Sequence, residues 1–388
     1  MIFRFNTFIV FSLLFFNVFV VQTKQKKTFK KDQYVRVLLE EVHIPSKKEI
    51  VFYSKNGFIL TNLRNKNDNI KCLSSSLTVK VVGDSFYLNG KKFLKKHVLI
   101  KPIKDSIVWQ GNAYQGSFLC AIQEKSLLII NSVPLEKYIF AVLRSESWPG
   151  WPLEVNKVFA VATRTYVLKK IENAQKAERL YHIKNTNIHQ RYNGHTFMVR
   201  NDTVLQQAVN QTKGTYLSYK NAPITAMFDS CCGGIIPKRI DGVDFKKAPY
   251  LARPYACKHC KSCFLYNWKV EYSPRQWSDK IKSEIPALRS VKKVCSISRD
   301  KAGLVQNIRI KGRRLVSVTG KKIYSLLDDV KSFCFSIKKK CKKVIVFGRG
   351  YGHHLGLCQW GARQMVEEKW SYRKILMFYY PGTKFKKI

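Results

Sequence analysis

At Pro134-Leu135-Glu136-Lys137-Tyr138-Ile139-Phe140-Ala141-Val142-Leu143-Arg144-Ser145-Glu146-Ser147-Trp148-Pro149-Gly150-Trp151-Pro152 the chain changes from one kind of secondary structure to another. Pro134 suits the first turn of a helix, where its missing N–H would be unpaired anyway. Leu135, Tyr138, Ile139, Val142 and Leu143 recur at helical spacing, which predicts a helix to about Glu146 with one apolar stripe. Trp148-Pro149-Gly150-Trp151 then reads as a tight aromatic turn. A second helix is expected from near Pro152, with Val155, Val158, Phe159, Ala162 and Tyr166 facing inward.

Outward from this point the two sides differ. Upstream, from Tyr34 to Ser132, come short alternating or β-branched runs such as Val35 to Val42, Glu49 to Tyr53, Leu77 to Val82, Val98 to Ile100 and Ser126 to Ile130. Turn residues such as Lys55-Asn56-Gly57 and Asn89-Gly90 separate them, which is a β-rich pattern. Downstream, strands are expected at Thr215 to Tyr219, Ile224 to Phe228 and Val344 to Phe347, a glycine-rich loop at Gly348 to Gly356, and a helix at Gln359 to Glu368. The fold class expected is therefore α+β, with a β-rich part over 34–132 and a mixed helix and strand core over 133–388.

Ahead of both parts, Arg4 precedes an apolar run from Phe8 to Val21, and Lys24, Lys26 and Lys27 follow, which reads as an export signal or N-terminal anchor over 1–23. The run is short of the roughly 20 apolar residues that a span needs, so cleaved and anchored fates are both open. The formal net charge of +45 calls for a polyanion. Export argues against nucleic acid as that partner and for an anionic wall or membrane surface, while the spread of lysines along the chain also fits solvated faces.

Eleven cysteines in 388 residues allow disulfides or a metal. The densest group is Cys257, His259, Cys260 and Cys263, whose C-x-H-C-x-x-C spacing can place soft ligands around one structural zinc, with Cys231 or Cys232 as further candidates, and structural disulfides fit the group equally well. No other cofactor is called for.

Glu146 falls eleven positions after Leu135, about three helical turns, and so on the middle of the apolar stripe. A carboxyl on a buried edge is desolvated, and desolvation raises its pKa toward what a general acid needs. The bland alternative is a frayed end where Glu146 turns outward or pairs with Arg144 or Arg164. Arg164 could equally pair with Glu146 or bind substrate. The loop Gly348 to Gly356 permits close backbone approach, yet it lacks the Lys-Ser or Lys-Thr pair of a nucleotide loop. There is no serine nucleophile elbow, and His353 or His354 with Cys358 has no third group to orient it.

Several segments, in order, resemble the family that holds the stage II sporulation protein D and the amidase enhancers. These are Val133 to Tyr138, Ser145-Glu146-Ser147-Trp148-Pro149, Trp151 to Tyr166, Asn187 to Gly194, Phe228-Asp229-Ser230-Cys231-Cys232-Gly233-Gly234, Gly350 to Ala362, and Tyr379-Tyr380-Pro381-Gly382-Thr383. The resemblance implies a cell-envelope protein acting on peptidoglycan glycan strands. Glu146 would be the single catalytic acid and base of a lytic transglycosylase, and Arg164 would lie at the active site. Gln190, Tyr192, His353 and Gln359, which fall within the matching segments, become candidate substrate-binding residues. It equally implies the rival role, a non-catalytic wall-binding partner of a separate amidase. Two positions depart from the pattern: Asp229 stands where many members have histidine, and His353-His354 where the closing loop usually reads His-Gly.

Overall fold

Alternating burial along the N-terminal strands builds two sheets. The computed structural model describes residues 33–388 apart from 46–47, 63–64, 94–95, 187–188, 196–201, 290, 328 and 341, with the side chains of 62–68 also outside the description. The export segment 1–23 lies outside the described residues. Among those described, no helix is long and apolar enough to cross a membrane.

The larger sheet runs in the order Ile183–Lys184, Tyr34–His43, Ser126–Pro134, Ser117–Gln123, His97–Pro102, Phe58–Asn62 and Asn65–Cys72. The smaller runs Asn112–Tyr114, Ile107–Trp109, Ile50–Tyr53, Ser76–Val82, Ser85–Leu88 and Lys91–Phe93. Strict alternation holds in the smaller sheet, where Leu77, Val79 and Val81 are buried and their neighbours are not. In the larger sheet Leu127 to Val133 are buried on both faces apart from Ser132, because Leu38, Leu119, Leu128 and Ile130 form a second apolar cluster behind it.

The first helix, α1 (Leu135–Glu146), and the second, α2 (Leu153–Lys176), follow as the periodicity predicts, with Pro134 just outside α1. Every residue from Val158 to Leu168 is buried, Thr163, Arg164 and Thr165 included, so α2 is the central helix of the molecule, buried on all sides. Helix α3 (Thr203–Gln211), the strand Thr215–Tyr219, and later helices α6 (Gln359–Glu367) and α7 (Tyr372–Tyr379) pack around it. The same apolar cluster takes in Val35, Phe118 and Ile129 together with Tyr138, Val158 and Tyr379. The change of texture at residue 133 is therefore a change of secondary structure inside one core.

Between α3 and α6 a second apolar cluster gathers Trp277, Ile308, Ile310, Ile323 and Val346. It lies within three-stranded sheets formed by Asn267–Tyr272, Lys343–Arg349 and Phe335–Lys340, and by Lys293–Arg299, Val305–Lys311 and Leu315–Thr319. Helices α4 (Pro274–Glu284) and α5 (Gly320–Leu326) cover them, and the result is α+β throughout.

The expected strand at Ile224 to Phe228 is mostly irregular, with only Phe228–Asp229 paired, in parallel to Leu357–Cys358. Its polar backbone groups find other partners. Thr225 N donates to the Tyr250 hydroxyl, and Met227 O accepts from both Leu357 N and the Tyr380 hydroxyl. A ladder is not needed to satisfy them.

Candidate active site

Helix α1 ends at Glu146 because Ser147 turns to an extended conformation. The Ser147 hydroxyl donates to Asn156 Oδ1 at 2.6 Å, and Asn156 Nδ2 donates to the carbonyls of Trp151 (2.9 Å) and Pro152 (3.1 Å). One buried asparagine on α2 thus stitches the aromatic turn shut. The turn presents Trp148, which is stacked on Trp151, edge-on to Trp360 and to Phe264, and partly exposed.

Below this turn lies a cleft of about 560 Å³. Glu146, Trp148, Tyr166, His189, Ser230, Tyr351, His353 and Gln359 are among its lining residues, and among the described residues that line it Glu146 is the only carboxyl. Glu146 Oε1 accepts the backbone N–H of Arg191 at 2.7 Å. Oε2 is shielded from solvent and has no hydrogen-bond partner among the described residues. Burial pushes the carboxyl up to about 7, outweighing the Arg191 N–H and the Arg191 charge, which pull the other way. Neither arginine that could have neutralised Glu146 does so. Arg144 pairs with Asp202 at 3.2 Å.

Arg164 is fully buried and grips Glu136 with both Nε (3.0 Å) and Nη2 (2.6 Å), while Nη1 donates to Thr215 O at 3.0 Å. This corrects both expectations for Arg164: it neither pairs with Glu146 nor lines the cleft. It ties α1 and α2 to the strand Thr215–Tyr219. Gln190 and Tyr192 are corrected likewise. Gln190 accepts from the Tyr138 hydroxyl at 2.9 Å, Tyr192 donates to Asn131 Oδ1 at 2.7 Å, and both are buried beside the cleft without lining it.

His353 and Gln359 do line the cleft. His353 Nδ1 accepts from Leu355 N, which leaves the proton on Nε2, and burial brings its pKa down to about 4 although a Phe228 backbone hydrogen bond opposes this. The ring is neutral at pH 7. Next to it the loop folds over Asp229. His354 N donates to Asp229 Oδ2 at 2.7 Å, and a Cβ at Gly352 (φ +130°) would lie 2.3 Å from Asp229 Cβ, so only glycine fits. Asp229 is buried and its pKa is pushed well above the usual range, chiefly by desolvation.

Two lining groups had gone unassigned. The Tyr166 hydroxyl meets His189 Nδ1 at 3.1 Å on the cleft wall. Tyr166 had the inward spacing of any core residue, and His189 stood out only as part of a resembling segment.

The cysteines come together differently from the sequence expectation. Cys232, Cys257, Cys260 and Cys358 place their sulfurs within 4.8 Å of one another. His259 instead turns its Nδ1 to Glu368 at 3.0 Å, and Cys263 lies outside this foursome.

Residues 123–219 match the family described as "Stage II sporulation protein", a span that holds Glu146 and stops short of His353. The chain is 30% identical over 360 residues to an uncharacterised protein of Brachyspira hyodysenteriae, covering 92% of this chain and 93% of that one. It is 27% identical to the amidase enhancer of Bacillus subtilis over 62% of this chain, which is 39% of the enhancer's length. To the stage II sporulation protein D of the same organism it is 24% identical, over 66% of this chain and 75% of that protein.

Proposed function

Because the chain belongs to the stage II sporulation protein D and amidase-enhancer family, we propose that it is a lytic transglycosylase of peptidoglycan glycan strands, with Glu146 as acid and then base. The observation that carries this reading is the Glu146 carboxyl, held at about 7 with a secluded, unpartnered Oε2 on the wall of an open cleft. A carboxyl in that state is about half protonated at pH 7 and can give its proton to a leaving oxygen.

Among the described residues the lining holds no second carboxylate. Glycosidases that activate water or form a glycosyl-enzyme use two, roughly 5–9.5 Å apart. One acid suits a reaction whose nucleophile belongs to the substrate. Glu146 protonates the glycosidic oxygen as the C1–O bond breaks. The sugar's own C6 hydroxyl then attacks C1, and its proton passes to the Glu146 carboxylate. The products are a 1,6-anhydro end and a free hydroxyl on the leaving sugar, with the acid restored. The faces of Trp148 and Tyr351 offer flat apolar surface to sugar rings, and the neutral His353, with Tyr166, His189 and Gln359, offers hydrogen-bonding groups.

The protein would work at the cell envelope outside the cytoplasm, where a charge of +45 draws it to an anionic wall. Nucleic acid is not the partner in this reading. The test is mass spectrometry of muropeptides released from purified wall by residues 24–388. Anhydro ends should appear, and Glu146→Gln should slow their release by about 10²- to 10⁴-fold, as is usual for losing a positioned acid or base, while wall binding is kept. If the glutamine variant releases them as fast as wild type, catalysis by Glu146 is wrong. The similarity to an amidase enhancer then favours the second reading, a wall-bound activator assayed by adding a cell-wall amidase.

A further inference from the structure

We propose that Cys232, Cys257, Cys260 and Cys358 bind one zinc ion as thiolates, in a closed site that joins two walls of the cleft. All four side chains are buried, at 0–1% exposure, and their sulfurs lie within 4.8 Å of one another. A zinc ion with sulfur at about 2.3 Å in tetrahedral geometry needs edges of roughly 3.8 Å, and Cys232 and Cys260 already stand 3.7 Å apart. Cys257 and Cys260 supply the C-x-x-C pair typical of such sites, while the other two ligands come from elements 126 positions apart in the chain. Four ligands leave no open coordination position, so the site is structural.

The surroundings favour thiolates. Cys358 Sγ accepts the backbone N–H groups of Cys232 and Gly361, each at 3.3 Å, and the Tyr379 hydroxyl lies 3.2 Å from Cys257 Sγ. Donors aimed at the ligand atoms are what orient a metal's first shell. Gly361 is there for want of space: a Cβ would meet the Tyr379 hydroxyl at 2.2 Å and Cys257 Sγ at 2.8 Å. His259 is excluded by its pairing with Glu368 and its edge-on contacts to Trp370 and Phe378.

The site has a consequence for the cleft. Cys232 belongs to the turn that carries Ser230, and Cys358 immediately precedes Gln359, so one ion fixes two lining residues on adjacent segments that are far apart in sequence. This holds whether the cleft is catalytic or only binds wall.

The test measures metal directly. Protein produced with zinc in the medium and purified without chelators should carry about one zinc per chain by elemental mass spectrometry. X-ray absorption should show four sulfur neighbours near roughly 2.3 Å. Cys263→Ser and His259→Ala should keep the zinc. Cys358→Ser should weaken retention by more than the roughly 10- to 100-fold that loss of an outer-shell partner costs. Should Cys358→Ser not fold, the wild-type absorption spectrum decides alone. The proposal is overturned by wild-type protein free of metal, whether the four thiols are free or paired as disulfides in the intact mass. A mixed sulfur and nitrogen shell, or full zinc retention in folded Cys358→Ser, overturns it as well.

Discussion

Replacing Glu146 with glutamine should help the folded state by about 3 kcal/mol more at pH 8.5 than at pH 4. The carboxyl titrates at about 7 in the fold against 4.5 ordinarily. A raised folded pKa means that the fold favours the protonated form. Its contribution is fully present below pH 4.5 and is lost as pH rises through about 7. At about 1.4 kcal/mol per tenfold, the ionised carboxylate is disfavoured by about 3 kcal/mol in its buried position. Glutamine keeps an Oε1 for the Arg191 N–H and never ionises. Its amide nitrogen lands where Oε2 lacks a partner, a cost that does not vary with pH. The diagnostic is therefore the growth of the difference between variant and wild type as pH rises. Thermal unfolding of both proteins at pH 4, 6, 7 and 8.5 measures it, and the midpoints should diverge between pH 4 and 7 and level off several degrees apart above neutrality. A constant offset, or a variant that loses ground as pH rises, would refute the reasoning that Glu146 is held protonated by desolvation.

Three further outcomes follow from the same geometry. The rate of anhydro-product formation by wild type should fall on the alkaline side with an apparent pKa near 7, since the protonated carboxyl is the reactive form; a rate flat from pH 6 to 9 would exclude that role. Arg164→Ala should cost about 3 kcal/mol of stability, the low end for breaking a buried ion pair, because Glu136 is partly exposed and keeps the Gly214 N–H; chemical denaturation measures it, and a loss of wall affinity without a loss of stability would return Arg164 to the substrate. Binding to insoluble wall should weaken as salt rises, because exposed charges are screened over roughly 8 Å at physiological ionic strength, whereas turnover of a bound fragment should not, since the cleft lining has no lysine or arginine among the described residues; sedimentation assays and initial rates across a salt series separate the two.

The helical stripe from Leu135 to Leu143 was legible in the sequence, and with it the odd placement of Glu146, because both depend only on residues within three turns of one another. The fate of Arg164 was not. Glu136 and Glu146 stand at opposite ends of α1, about 15 Å apart at the usual rise. Which of them Arg164 meets is set by how α2 lies against α1, and no local pattern carries that offset. The same holds for Gln190 and Tyr192. The resembling segment made them candidates for a ligand, but Tyr138 and Asn131, which come from distant elements, are what they bond. The crowded cysteines at 257–263 pointed to a shared site, yet two of the four converging sulfurs, on Cys232 and Cys358, are delivered by the tertiary fold. The failed strand at Ile224 to Phe228 is the reverse case: its β-like composition was read correctly, and the partners it found were side chains and single carbonyls.

The parallel pairing of Phe228–Asp229 with Leu357–Cys358 bears on the order in which the molecule can assemble. Glu146 and His353 face one cleft, but the whole second apolar cluster lies between them in sequence. Closing that loop carries an entropy cost that compaction of the intervening unit lowers. Pairing of Lys384–Lys387 with Thr215–Tyr219 is subject to the same cost. During synthesis α1, the aromatic turn and Glu146 therefore emerge before the segments that carry His353 and Gln359. Such a half-built molecule has Glu146 but no cleft, so whatever the cleft does must wait until the late segments dock.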